Sequence, residues 1–326
     1  MDDRSIDTHP DLMNPDWRKH AEKEAWAEVR KTQRKKRGFW RRPSLWVVLG
    51  LVVLVGAAVV VRQVKGQTTN DPAAAPLTPS SAPTAAPSTL PRTAKVDLTQ
   101  PFLNTPAALW KDGLDGLEVP TAEPLGTITA DQVTSAYDQV KKTITATVLD
   151  RNGIEKRDHG ALYEALGARS AKPVKEVLEG PDKTKVSSYL TEVADGFHLL
   201  PAGPRLKGKL SAQAGERKGE VIIKASYVVA YAFDAPDPGK LNGPGDIVAF
   251  RREEVRYAVY TPKVGGGVYF DGGESQVFSM ACGAAKAGYL APFYSEVTIG
   301  NGPGVSDEAR IYDPDKPIDN SGPGCE

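Results

Sequence analysis

The chain has 326 residues, 41 basic and 41 acidic, for a formal net charge of zero. That balance gives no reason to expect a nucleic-acid partner. Its two cysteines, Cys282 and Cys325, both lie in the carboxyl-terminal third, a distribution that fits one disulfide in an oxidising compartment.

Residues 1–43 read as a cytoplasmic basic arm. The first fifteen are polar, with Pro10 and Pro15. From Asp16 to Arg37 the sequence suits a helix, with Glu22, Glu24 and Glu28 early and most of the bases late, complementing the helix dipole. Such a helix could lie on anionic headgroups or act only as a topology signal, and the second is preferred. His9 and His20 have no cysteine partner, so a zinc module is not supported.

The stretch Ser44–Val61, SLWVVLGLVVLVGAAVVV, has no charge and no proline. As a helix rising about 1.5 Å per residue it spans roughly 27 Å, the thickness of a bilayer's hydrocarbon core. A single transmembrane helix over 44–62 is therefore expected. Residues 31–42 hold seven Lys or Arg, and 62–95 only Arg62, Lys65, Arg92 and Lys95. The basic excess places the amino terminus in the cytoplasm and the carboxyl-terminal domain outside. A cleaved signal fits poorly, because its basic region would exceed 40 residues.

Residues 63–94 read as a disordered linker. Between Gly66 and Ala94 there are six prolines set among Ala, Ser and Thr, with almost no large apolar side chain to offset the entropy of folding. Proline spacing makes the segment extended, and its hydroxyls permit glycosylation.

Residues 95–326 form the predicted extracytoplasmic domain. Trp110 and Leu114 are expected to pin a turn-rich start onto it. Thr129 and Gln132 form a capping box, and Val133, Tyr137, Val140, Ile144 and Val148 give the following helix one apolar face. Three shorter helices are expected next. One is capped by Asp158 and ended by Gly167, a second opens at Pro173, and a third carries Val186, Leu190 and Val193. After Gly196 the period changes to two, with strands over 206–213, 221–233, 247–260 and 268–280, the last bent at Gly272 and Gly273. The fold class expected is α+β, with helices packed on a curved antiparallel sheet.

That element order, over about 130–280, resembles the NTF2-like or cystatin-like cone. The stretches TPAALWKDGLDGLEVP and TADQVTSAYDQVKKTITATVLD, set behind a Pro/Ala/Thr linker, resemble a family of uncharacterised actinobacterial single-pass membrane proteins. The resemblance implies a location and supplies no site residues.

Cys282 could be a nucleophile of a wall transpeptidase, but no histidine flanks it in SMACG. The preferred reading is a Cys282–Cys325 disulfide, closing a loop of about 44 residues worth about 4 kcal/mol and fastening the tail. Asp313, Asp315 and Asp319 miss calcium-loop spacing, and His159 and His198 lack a third ligand. No phosphate-loop, nucleophile-elbow or zinc-protease motif appears. The candidate ligand-binding groups are Tyr227 and Tyr231 with the mid-strand charges Arg251 and Glu253 on one face and Arg252 and Glu254 on the other. Cross-strand ion pairs on a solvent face are the preferred alternative for these charges and for Arg256, which shares the face of Arg252 and Glu254. No catalytic residue, metal or cofactor is expected. The first function expected is a non-catalytic, membrane-tethered domain binding a protein, wall polymer or small ligand. The alternatives are an envelope enzyme with a pocket in the same fold, and a sensor signalling to the basic arm.

Overall fold

A computed structural model describes residues 86–296 and 308–318, all within one compact unit, Ser80–Glu326. Among the described residues no helix is long and apolar enough to cross a membrane. The arm and the span predicted over 44–62 lie outside them, as does most of the linker. The linker's last residues are described, and they touch the domain. The Leu90 amide donates to Glu308 and the Ala94 amide to the Asn242 carbonyl.

The fold is α+β, with a six-stranded open sheet. Four long strands form a meander: β3 (Arg205–Ala214), β4 (Glu220–Ala232), β5 (Val248–Tyr260) and β6 (Val268–Phe278). The two-residue strands β1 (Lys111–Asp112) and β2 (Leu117–Glu118) both pair with the outer edge of β3. All pairs are antiparallel except β2–β3. Register slips between Val255 and Tyr257, where β6 carries the extra residue and Gly272 takes φ +98°. This is the bulge expected at that glycine pair. Gly208 on β3 is needed for a different reason: a Cβ there would stand 2.3 Å from that of Tyr227.

The helical half begins with α1 (Ala130–Ile144), whose capping box is formed as predicted. Val133, Tyr137, Val140 and Ile144 are buried against the sheet. The helix runs on into a π-turn over Thr145–Leu149. The short α2 (Arg151–Lys156), unforeseen in the sequence, follows. Next come α3 (Gly160–Leu166), ended by Gly167 at φ +84°, and α4 (Ala168–Leu178). Pro173 does not open α4 but sits inside it, five residues after its start. The third predicted helix is a 3-10 segment, Lys183–Ser188, that gives way to extended chain. A last helix, α5 (Cys282–Lys286), follows the sheet.

Both sheet faces are packed against other segments. The helices cover the face bearing Val221, Ile223, Tyr227, Val229, Tyr231 and Phe233. Val228, Ala230 and Phe250, on the opposite face, pack against Phe102, Trp110, Ile311 and Tyr312 from the two ends of the domain. Trp110 meets Phe250 edge-on at 5.9 Å, as a pinning residue should. The solvent face assumed for the mid-strand charges is therefore covered at Arg252 but stays open at Arg256 and Lys224, both exposed.

Candidate ligand site

The predicted site residues separate into packed interior and recess wall. Tyr227 and Tyr231 are fully buried in the helix-side core with Tyr257. Burial pushes all three phenols up from their ordinary value. The Tyr231 hydroxyl donates to the Val148 carbonyl at 2.9 Å, a carbonyl at the end of the π-turn. These tyrosines complete a core and stand apart from the two recesses lined by Glu192 and Tyr289.

Arg251, Glu253, Arg252 and Glu254 pair along β5, whereas the exposed Arg256 pairs across to Asp271 on β6 at 2.7 Å, as a cross-strand ion pair. On the helix side Arg251 Nε donates to Glu253, and both side chains are buried. Burial works against the Arg251 charge, and Glu253 beside it more than offsets that, raising its pKa. Burial also pushes the Glu253 carboxyl up, and Arg251 pulls it back only in part. On the opposite face Arg252 donates to Glu254 at 3.0 Å and to the carbonyls of Tyr227, Pro314 and Lys316. Arg252 and Glu254 thus hold the segment 308–318 against the sheet, and the Ile318 amide donates to Glu254 at 3.0 Å. Asp315 pairs with Lys209, and Asp313 accepts from the Asp315 amide.

Cys282, the first residue of α5, is disulfide-bonded. Cys325 lies outside the described residues.

Where the end of the helical half meets β5, β6 and α5, two recesses adjoin. The inner one, about 150 Å³, is lined by Ser187, Glu192, Arg251, Ser275, Val277, Ala285, Gly288, Tyr289 and Leu290. The outer is an open groove with Arg157, His159, Tyr163, Glu179 and Asp195 on its walls. Glu192 and Tyr289 line both.

Backbone pairing on two sides fixes Glu192. Its flanking amides, Thr191 and Val193, donate to the carbonyls of Thr147 and Ile154, while its own carbonyl accepts from Leu290. The Thr147 carbonyl belongs to the π-turn, so that irregularity in the helix positions the acid. The Glu192 side chain is buried, accepting from His159 Nε2 at 2.9 Å and lying 3.4 Å from Arg157 Nε. Arg157 ends α2 at φ 57°, a left-handed conformation that glycine adopts at less cost. Holding a guanidinium at this turn places its charge between Glu192 and Asp195, the latter at 2.9 Å. Burial works against that charge, but Asp195 and Glu192 more than offset it, and its pKa is raised. Arg157 also stacks over the Tyr289 ring at 5.2 Å.

Glu192, Arg157, Asp195 and Tyr289 were missed in the sequence, and His159 was considered there as a metal ligand. The one local signal was an acid set between the apolar Leu190 and Val193, which the helical reading turned away from the core. Among the described residues no group of three or more His, Cys, Asp or Glu is arranged to hold a metal ion.

No family model, curated protein or solved structure matches the chain. The site's chemistry therefore rests on its own geometry.

Proposed function

We propose that the chain is a single-pass membrane protein whose extracytoplasmic α+β domain binds a ligand without transforming it, through the two recesses that share Glu192 and Tyr289. Protein and cell-wall components are the partners this location offers. The observation that carries the binding reading is the convergence of two buried polar side chains, the carboxyl of Glu192 and the guanidinium of Arg251, on one small recess beside an open aromatic groove. Few polar groups in a partly apolar concavity are what orient a ligand. The absence of catalysis is supported by how those groups are spent. Glu192 is engaged by His159 and Arg157, and Arg251 by Glu253, so each has a structural partner that fixes it in place while Glu192 keeps lone pairs, and Arg251 a third nitrogen, for a bound ligand. Helices packed on one face of a four-strand meander support the NTF2-like or cystatin-like cone as the finer description of the fold. The hydrophobic stretch 44–61 and the basic residues before it support the anchor and its orientation.

The test is a photoreactive residue in place of Tyr163, on the outer groove, irradiated in intact cells. One discrete adduct is expected by mass spectrometry of the recovered chain, and none when the same residue replaces Lys218 in the β3–β4 turn. No adduct at Tyr163, or equal adducts from both positions, contradicts the proposal.

A further inference from the structure

We propose that the inner recess is a subsite for a small free α-amino acid, its carboxylate held by Arg251 and its ammonium by Glu192. This deepens the binding reading above and rests on it.

The argument begins with one nitrogen. Arg251 is only 4% exposed. Its Nε donates to Glu253 and its Nη2 to the Ser187 carbonyl. Nη1 has no hydrogen-bond partner among the described residues, yet no inaccessible side-chain nitrogen or oxygen is left unpaired among them. Nη1 is therefore not sealed, and Arg251 lines the recess. A desolvated guanidinium with one open N–H edge is a strong anchor for a carboxylate.

The second charge decides between ligand classes. Among the described residues Glu192 is the only other charged one on the recess wall. A simple carboxylate on Arg251 would lie near a like charge. A simple amine near Glu192 would lie near Arg251. A zwitterion satisfies both, because a carboxylate keeps lone pairs to spare when two donors already approach it. Size favours a small ligand. At about 150 Å³ the recess is much smaller than the outer groove beside it, a size that suits glycine, alanine or serine. Val277, Ala285 and Leu290 give the rest of the wall an apolar surface for a small side chain.

Calorimetry on the full chain in nanodiscs tests this, with glycine, alanine, leucine, acetate and ethylamine as probes. Glycine or alanine is expected to bind saturably, with acetate, ethylamine and leucine each at least about tenfold weaker. Arg251→Lys keeps a charge but loses the open edge and is expected to weaken glycine at least about tenfold. Ala285→Leu fills the recess while leaving every charge in place, and is expected to remove binding with unfolding temperature retained. Acetate binding as tightly as glycine overturns the inference, as does glycine binding that survives Ala285→Leu. Absence of any amino-acid binding with the Tyr163 adduct still present sinks the inference alone, whereas loss of both sinks the binding reading with it.

Discussion

Glu155 on α2 shows how a single side chain ties the helical half to the sheet. Its carboxylate accepts from the Leu199 amide at 2.6 Å and pairs with Arg151 Nε at 2.6 Å, while Arg151 itself donates to the carbonyls of Leu199 and Leu200. Burial opposes the charge of Glu155, but Arg151 and the Leu199 amide more than offset it, so its pKa lies below the ordinary 4.5. The unfolded chain then binds the proton more tightly, and the stabilisation is present above pH 4.5 and lost as pH falls through the lower folded value. Glu155→Gln is expected to cost about 1–2 kcal/mol at neutral pH. In chemical denaturation at stepped pH, the gap between native and variant should close on acidification; a gap that widens contradicts the assignment. Side-chain direction along the strands was legible at this same scale. Alternation put Tyr227 and Tyr231 on one face of their strand and separated Arg251 and Glu253 from Arg252 and Glu254 on the next, as found. Alternation alone leaves open which pair shares the tyrosines' face, and the register, with Glu253 opposite Tyr227, gives it to Arg251 and Glu253. What alternation cannot report is coverage. It fixes the side of the sheet, whereas burial of Arg252 depends on a segment about sixty residues further along the chain.

Elements carry their own punctuation, and where that was local it was readable. The Thr129–Gln132 box started α1, and Gly167 ended α3. Pro173 misled because proline fits a first turn better than an interior, yet α4 accommodates it. Val186, Leu190 and Val193 misled because spacings of four and three fit a helix equally well as a 3-10 turn followed by extended chain. That error hid Glu192, since only the extended chain turns it inward. Arg252 makes a prediction about the carboxyl-terminal segment as an element. Its donors satisfy the Pro314 and Lys316 carbonyls, and Ser226 Oγ adds a bond to Pro314 at 2.6 Å. Arg252→Ala is expected to cost about 3 kcal/mol, because several buried carbonyls lose a donor together. It should also speed hydrogen exchange at the Asp315 and Ile318 amides. Lys209→Ala removes an exposed pair with Asp315 and should cost less than about 1 kcal/mol. Unchanged exchange in Arg252→Ala would show that the segment is held by other contacts.

At the scale of the whole molecule the proposal joins a hydrophobic anchor to a domain whose sheet is packed on both faces. One polar concavity lies at the corner where Glu192, Arg251 and α5 meet, and a separate, wider one beside the outer edge of β3 is lined by Lys111, Asp115, Glu118, Lys207, Asp313 and Asp315. Cys282 at the head of α5 is disulfide-bonded, which fits an oxidising compartment and fastens one wall of the inner recess. We propose Cys325 as its partner, fastening the tail to that wall. Reduction of the full chain followed by alkylation and peptide mapping belongs with that proposal, but it does not decide on which side of the membrane the domain stands. Protease added to intact cells that carry an epitope after residue 326 decides it most directly. The account predicts cleavage within the linker, 63–94, and release of the tagged domain without breaking the cell. A tag that stays protected until the membrane is opened would contradict it.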